Sequence, residues 1–297
     1  MVATAAKVLT LRIFDRVVKI TCRSAIEFDL LVDIYGAMQC ANSMSPDLEY
    51  TVTRDKERDS YTIMRRGGAP LAAHDAGEFI FLLEKDLTIE LQHLRHDLYF
   101  IHAAALEFDG KVILLVAPSG QGKSTTAWGL LHHGFRYLSD ELAPVDLPTL
   151  GIYPYAHALC LKNEPPRPYP LPSRVLRTCR TVHVPATSLP SETFMAPAPI
   201  AAIIFLEYSP DEESTVRLVS VSKGEAAARL FSQALNPLAH SDDGLRAAAA
   251  IVCQTDCYRL RSVALDSTCH LLTKLLLHSS SHSPCLKDLQ RGRPSAD

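Results

Sequence analysis

The chain has 297 residues, 47% of them apolar and 21% charged, with a formal net charge of −3. That length holds one large or two modest domains with ample core, and a near-neutral balance without a basic, aromatic-interleaved run excludes recruitment of nucleic acid by charge. No apolar stretch has the length of a membrane span and "MVATAAKVLTLRIFDR" lacks a secretory pattern, so neither a membrane partner nor export is expected. Eight cysteines, with no CxxC pair and no compact Cys/His zinc pattern, read as reduced thiols of a cytoplasmic protein.

The first stretch predicts a small α+β unit over residues 1–95. "TLRIFDRVVKITC" alternates about Asp15-Arg16 as a hairpin does, and "EYTVT" and "YTIMR" flank the polar turn "RDKERDS". Ile80, Leu83, Leu87, Leu91 and Leu94 recur at helical spacing and predict an amphipathic helix that closes the unit. A second unit is expected over residues 96–278. "FIHAAALEF" and "KVILLV" bracket Asp109-Gly110, a two-residue hairpin signal, and "KVILLV" is the continuous apolar run of a buried strand. A short helix follows Ser124 and ends at Gly134, and "FRYL" returns as a strand. The proline-rich "NEPPRPYPLPSRVLRTCR" and "PSETFMAPAP" predict a long surface loop. "AAIIFLEY" predicts a further buried strand, and Ser222 with Glu225 forms a capping box for a helix stopped at Asn236-Pro237. Helices over 245–253 and 265–277 flank a strand at "YRLRSV", and the polar tail 279–297 is expected to be disordered.

The chemistry concentrates between these elements. Residues 117–124 read A-P-S-G-Q-G-K-S against the phosphate-loop pattern G-x-x-x-x-G-K-[ST], with Ala117 at the first glycine position. Gly120 and Gly122 let backbone N–H groups curve around an anion, Lys123 is a long cation for the β- and γ-phosphates, and Ser124 is a hydroxyl for Mg2+. The helix that begins there adds its N-terminal dipole. A buried strand before the loop and a helix after it favour a phosphate cradle over a plain glycine turn. Sixteen residues beyond Ser124, Asp140 and Glu141 end the next strand. Adjacent strands of a parallel sheet present their carboxyl ends to one crevice. An acid there holds Mg2+ through water or accepts the proton of an attacking hydroxyl. The competing reading of "SDEL" is a turn cap. Neither N-K-x-D nor an LSGGQ-like segment is present, so the chain does not advertise a GTPase switch or a transporter ATPase.

Four elements in order, "FIHAAALEFDG" with its His102, "PSGQGKST", "HHGFRYL" and "SDE", resemble the HPr kinase/phosphorylase family. That family shares its P-loop fold with phosphoenolpyruvate carboxykinase. "HAAA" and "SDEL" are most similar to a divergent HPr-kinase-like branch that includes lasso-peptide precursor kinases. The resemblance, over residues 102–141, implies an α/β P-loop kinase domain of this type behind the small N-terminal unit. It implies ATP and Mg2+ as cofactors, with ATP held at Ser119, Gly120, Gln121, Gly122, Lys123, Ser124 and Thr125. Lys123 would then stabilise the transferring phosphoryl group, Ser124 would ligate Mg2+, and His102 would be an active-site histidine. The family's acidic pair, usually Asp-Asp, takes a serine hydroxyl's proton. Here it is Asp140-Glu141, with Asp140 favoured as the base and Glu141 on the metal side. The absence of an "EIRG"-like segment points away from HPr itself as the acceptor. The resulting expectation is a kinase for a serine on a peptide or small protein, in a homo-oligomer as in the family. A small-metabolite kinase and a non-catalytic nucleotide-binding module are the rival classes. Lys162, Arg174, Arg177 and Arg180 read as solvated surface.

Overall fold

The computed structural model describes residues 6–41, 45–55, 57–209 and 215–280, so the predicted tail lies outside them from residue 281 on. At the N-terminal end, β1 (Lys7–Ile13), β2 (Arg16–Cys22), β3 (Leu48–Asp55), β4 (Ser60–Arg65) and β5 (Leu71–Ala73) form one sheet in chain order. The first hairpin turns on Phe14 and Asp15, both at positive φ, one residue ahead of the expected position. Packing explains the shift. Phe14 is carried into the core, its ring 5.6 Å from Phe100 and 5.7 Å from Tyr155. β2 and β3 run parallel, joined across the sheet by α1 (Ala25–Tyr35). α2 (Ala76–Leu94) starts where the Asp75 carboxylate accepts the Glu78 N–H at 2.8 Å. It buries Ile80, Leu83, Leu87 and Leu91 of the stripe read from the sequence, together with Phe79, while Leu94 is only half-buried.

From Leu98 on, the chain is mixed α/β. β6 (Leu98–Ile101), β7 (Ala103–Phe108), β8 (Lys111–Val116), β9 (Arg136–Ser139), β10 (Ala143–Asp146), β11 (Gly151–Ile152) and β15 (Ala198–Tyr208) make the main path of a large sheet. Its order is β6-β10-β11-β15-β8-β7-β9, and β17 (Asp256–Ser262) joins beside β15 with β16 (Arg217–Ser220) beyond it. β8, β15 and β17 are parallel. Alternate residues of β8 enter two different cores, which is why its sequence does not alternate. Ile113 and Leu115 pack with Trp128, Leu130 and Leu131 of α3 (Lys123–Leu131) and with Cys269 and Leu272 of α6 (Leu265–Ser280). Val112, Leu114 and Val116 pack with Leu230 of α4 (Lys223–Phe231) and Ile251 of α5 (Leu245–Cys253). Helices therefore cover both faces. Among the described residues, no helix is long and apolar enough to cross a membrane.

Two expectations need correction. β9 does not lie next to β8, because the hairpin partner β7 takes that slot and pairs with both strands. The first proline-rich stretch is loop except at β13 (Leu176–Arg177), which joins β12 (Leu159–Leu161) and β14 (Val182–Val184) on either side of it in a small sheet of order β12-β14-β13.

The close approach of α3 and α6 sets a test. A methyl group added at Gly129 in α3 would lie 2.6 Å from Cys269 Sγ and 2.9 Å from a Leu265 methyl in α6. Gly129→Ala is therefore expected to cost about 1–3 kcal/mol despite its better helix propensity. Gly224→Ala in α4, where the methyl meets nothing within 4 Å, is expected to be neutral or to gain up to ~1 kcal/mol. Urea denaturation of the two variants checks this, and equal responses would contradict the α3–α6 contact.

Candidate functional site

Strand direction gathers the site. Val116 at the end of β8 pairs with Ala103 at the start of β7, and Ala105 pairs with Ser139 at the end of β9. Two antiparallel steps restore direction, so β8 and β9 finish at the same sheet edge with His102 between them. The cradle follows β8. Gly120 and Gly122 sit at φ 89° and 86°, a conformation that side chains disfavour, and an added Cβ would enter open space at either position. α3 begins at Lys123, so the N–H groups of its first turn, which includes Ser124 and Thr125, have no partner within the helix.

Lys123 is buried, with 6% exposure, and its Nζ donates to the Ala117 carbonyl at 2.8 Å. Burial lowers its pKa, against the opposing pull of Glu141 and Asp140. The Gln121 side chain accepts the Tyr208 N–H at 3.0 Å, which ties the cradle to the end of β15. Ser119 is exposed, and its hydroxyl accepts a hydrogen bond from Lys162 Nζ at 2.7 Å. Lys162 is exposed, as expected, and this bond also brings its ammonium to the cradle.

The two acids occupy different surroundings. Ser139 closes the turn itself, accepting the Leu142 N–H at 3.2 Å and donating to the Leu142 carbonyl. Asp140 and Glu141 are left for other work. Asp140 has no exposed surface. Its Oδ2 accepts the Cys160 N–H at 3.1 Å, while Oδ1 has no hydrogen-bond partner. Burial and the neighbouring Glu141 charge push its pKa up to about 7, against His157, the Cys160 N–H and the Ser124 side chain. Glu141 is 45% exposed, and its carboxylate lies 3.1 Å from His102 Nε2. Burial raises its pKa, but the His102 bond and charge, with His157 and Lys123, outweigh that and hold it below the usual value. Ser124 thus adjoins Asp140, and His102 adjoins Glu141. Mg2+ takes hard oxygen donors, and the Ser124 hydroxyl near an Asp140 carboxylate that has one unpartnered oxygen fits that requirement.

Sequence reasoning missed two residues. His157 is buried and its Nε2 lies 3.1 Å from Glu84 of α2, a buried contact that brings the first unit to the acids. Burial raises the Glu84 pKa, as does Glu141, and His157 opposes them. The only signal was a polar residue within an apolar run in each case, "LLEKDL" and "PYAHALC". Of the arginines read as solvated, Arg174 pairs with Asp33 of α1, and Arg177 with Glu164 at 2.6 Å.

No protein-family model and no curated protein matches the chain. Among solved structures, the HPr(Ser) kinase/phosphatase from Coxiella burnetii is similar at 11% identity, over 61% of this chain and 95% of that one, with a TM-score of 0.29. A likeness that slight carries no argument about function, and the residues above have to carry it.

The β12–β14–β13 flap supplies the Cys160 N–H and Lys162, and Cys160 pairs with His183 across it. His183 is buried, and burial together with His157 holds its pKa down, from 6.5 to about 4. The unfolded chain takes up that proton near pH 6.5 and the fold only near 4, so the stabilisation is complete above 6.5 and is lost as pH falls through 4. His183→Gln is expected to remove about 3 kcal/mol of the wild-type stability loss between those limits, at ~1.4 kcal/mol per pH unit. Denaturant melts at pH 7 and pH 4 measure it, and an unchanged slope would contradict the buried neutral histidine.

Proposed function

We propose that the protein is an ATP-dependent kinase that transfers the γ-phosphoryl group to a serine hydroxyl on a peptide or small protein. The observation that carries this reading is the convergence of Lys123, Ser124, Asp140, Glu141 and His102 at one sheet edge. A cradle alone supports nucleotide binding, whereas acids beside it support chemistry on the bound phosphates.

In this reading the N–H groups around Gly120, Gly122 and the start of α3 hold the phosphates. Lys123 exchanges the Ala117 carbonyl for phosphate oxygens, and Lys162 meets them from the flap. Ser124 and Asp140 would hold Mg2+, which when bound neutralises charge on the phosphates. Glu141 accepts the proton of the serine hydroxyl, since it is ionised at neutral pH and accessible, and His102 orients it. This reverses the division expected from the sequence, in which Asp140 was the base and Glu141 the metal-side acid. Asp140 has no exposed surface, and Glu141, with its side chain 45% exposed, is the more open of the two acids. The peptide or protein acceptor rests on the resemblance of residues 102–141 to the HPr-kinase-like branch. The first unit, with Glu84 at the acids, would serve in recognition or assembly, and a cytoplasmic homo-oligomer belongs to the same proposal.

The test follows γ-labelled ATP in the presence of Mg2+ and a size-fractionated lysate of the protein's own source. Label is expected in a peptide or protein fraction, absent with Lys123→Ala and slowed on the order of 10²-fold with Lys162→Ala. Label confined to small molecules would move the reading to a metabolite kinase. Label remaining on ATP with every fraction would remove the kinase.

A further inference from the structure

A second cluster sits at the opposite end of α3 from the cradle. His133, Asp266 and His270 each bring a ligand-type atom to within 4.8 Å of the others, and Tyr169 adds a hydroxyl. His133 Nε2 lies 2.8 Å from the Tyr169 oxygen, and that hydroxyl donates to Asp266 Oδ1 at 2.9 Å. The His133 and His270 rings stand edge to face with centroids 4.8 Å apart. Asp266 and His270 are four residues apart on α6, the spacing that puts two ligands on one helix face.

The ring chemistry suits a metal. His270 Nδ1 donates to the Asp266 carbonyl at 2.9 Å, which fixes the tautomer and leaves the Nε2 lone pair for a ligand bond. Both residues on α6 are more than half exposed, which gives an ion access and leaves their side chains room to close.

We propose that His133, Asp266 and His270 form a binding site for a divalent transition-metal ion, Zn2+, with the Tyr169 hydroxyl or a water in the fourth position. Two imidazoles and a carboxylate match tetrahedral Zn2+, whereas Mg2+ takes oxygen donors, so this site is distinct from the nucleotide's. Zn–ligand bonds of about 2.0 Å place tetrahedral ligand atoms roughly 3.3 Å apart. The three side chains therefore have to draw together by about an ångström or more. Such an ion would bolt α6 to the end of the P-loop helix, across the contact at Gly129 and Cys269. The same spot already binds the Tyr169 backbone, whose carbonyl accepts from Trp128 Nε1 at 3.1 Å.

The competing account is a hydrogen-bond chain through Tyr169 that needs no ion, and metal titration separates the two. The full chain, stripped of metal, is titrated with Co2+ and the ion then displaced by Zn2+, with thermal unfolding recorded alongside. The expected result is the visible absorption of tetrahedral Co2+, a rise in Tm on adding one equivalent of Zn2+, and retention of both in His102→Ala. Asp266→Asn and His270→Ala should each weaken Zn2+ binding by more than ~10-fold, the low end for losing even an outer-shell partner. Should His270→Ala not fold, His270→Gln replaces it. A tetrahedral spectrum that never forms, Zn2+ affinity untouched by both α6 variants, or binding lost in His102→Ala would each overturn the site.

Discussion

Asp140 has no exposed surface, and burying a carboxylate costs several kcal/mol unless its surroundings compensate. The surroundings are assembled from distant parts of the chain. The small β12–β14–β13 sheet gives the Cys160 N–H, α3 gives Ser124, and His157 stands near enough to favour the charge. One oxygen remains unpartnered, so the compensation is incomplete in the protein alone, and a cation beside Ser124 would complete it. The cradle, the flap and the acidic turn thus answer to one constraint. Each is placed where it can meet a charge that the fold buries at the sheet edge.

The same constraint reaches the first unit. Glu84 leaves α2 to meet His157 at the back of the acids, and Phe14 fills the space between Phe100 and Tyr155. Leu83, Leu87 and Leu91 belong to the apolar cluster that also holds Trp128 and Leu131 of the P-loop helix. Arg174 in the flap pairs with Asp33 of α1. A partner that displaced α1 or α2 would therefore act on the flap and on the acids through packed side chains. In the function proposed, recognition by the first sheet and chemistry at the second would be coupled through these contacts.

Much of this was legible in the sequence where the signal is local. "KVILLV" had to be a buried strand, Asp109-Gly110 a tight turn, and Ser222 with Glu225 a helix start, and each forms as the chain reads. The cradle was equally plain, because its backbone geometry demands glycine at two particular positions. What the sequence withheld depends on long-range pairing. That β7 lies between β8 and β9 follows from strand order, which no local pattern encodes. The approach of Lys162 to Ser119 spans 43 residues, and that of His157 to Glu84 joins two units. The difference in surroundings between Asp140 and Glu141 is one of burial, and two consecutive acids look alike until one of them is covered.

The most direct measurement compares Mg·ATP affinity and single-turnover phosphoryl transfer in wild type and Glu141→Gln. The account predicts affinity within a few-fold of wild type and transfer slowed on the order of 10²- to 10⁴-fold, as expected on removing a general base. Transfer at the wild-type rate, or affinity lost in proportion to the rate, would contradict the assignment of Glu141 as the proton acceptor beside the cradle.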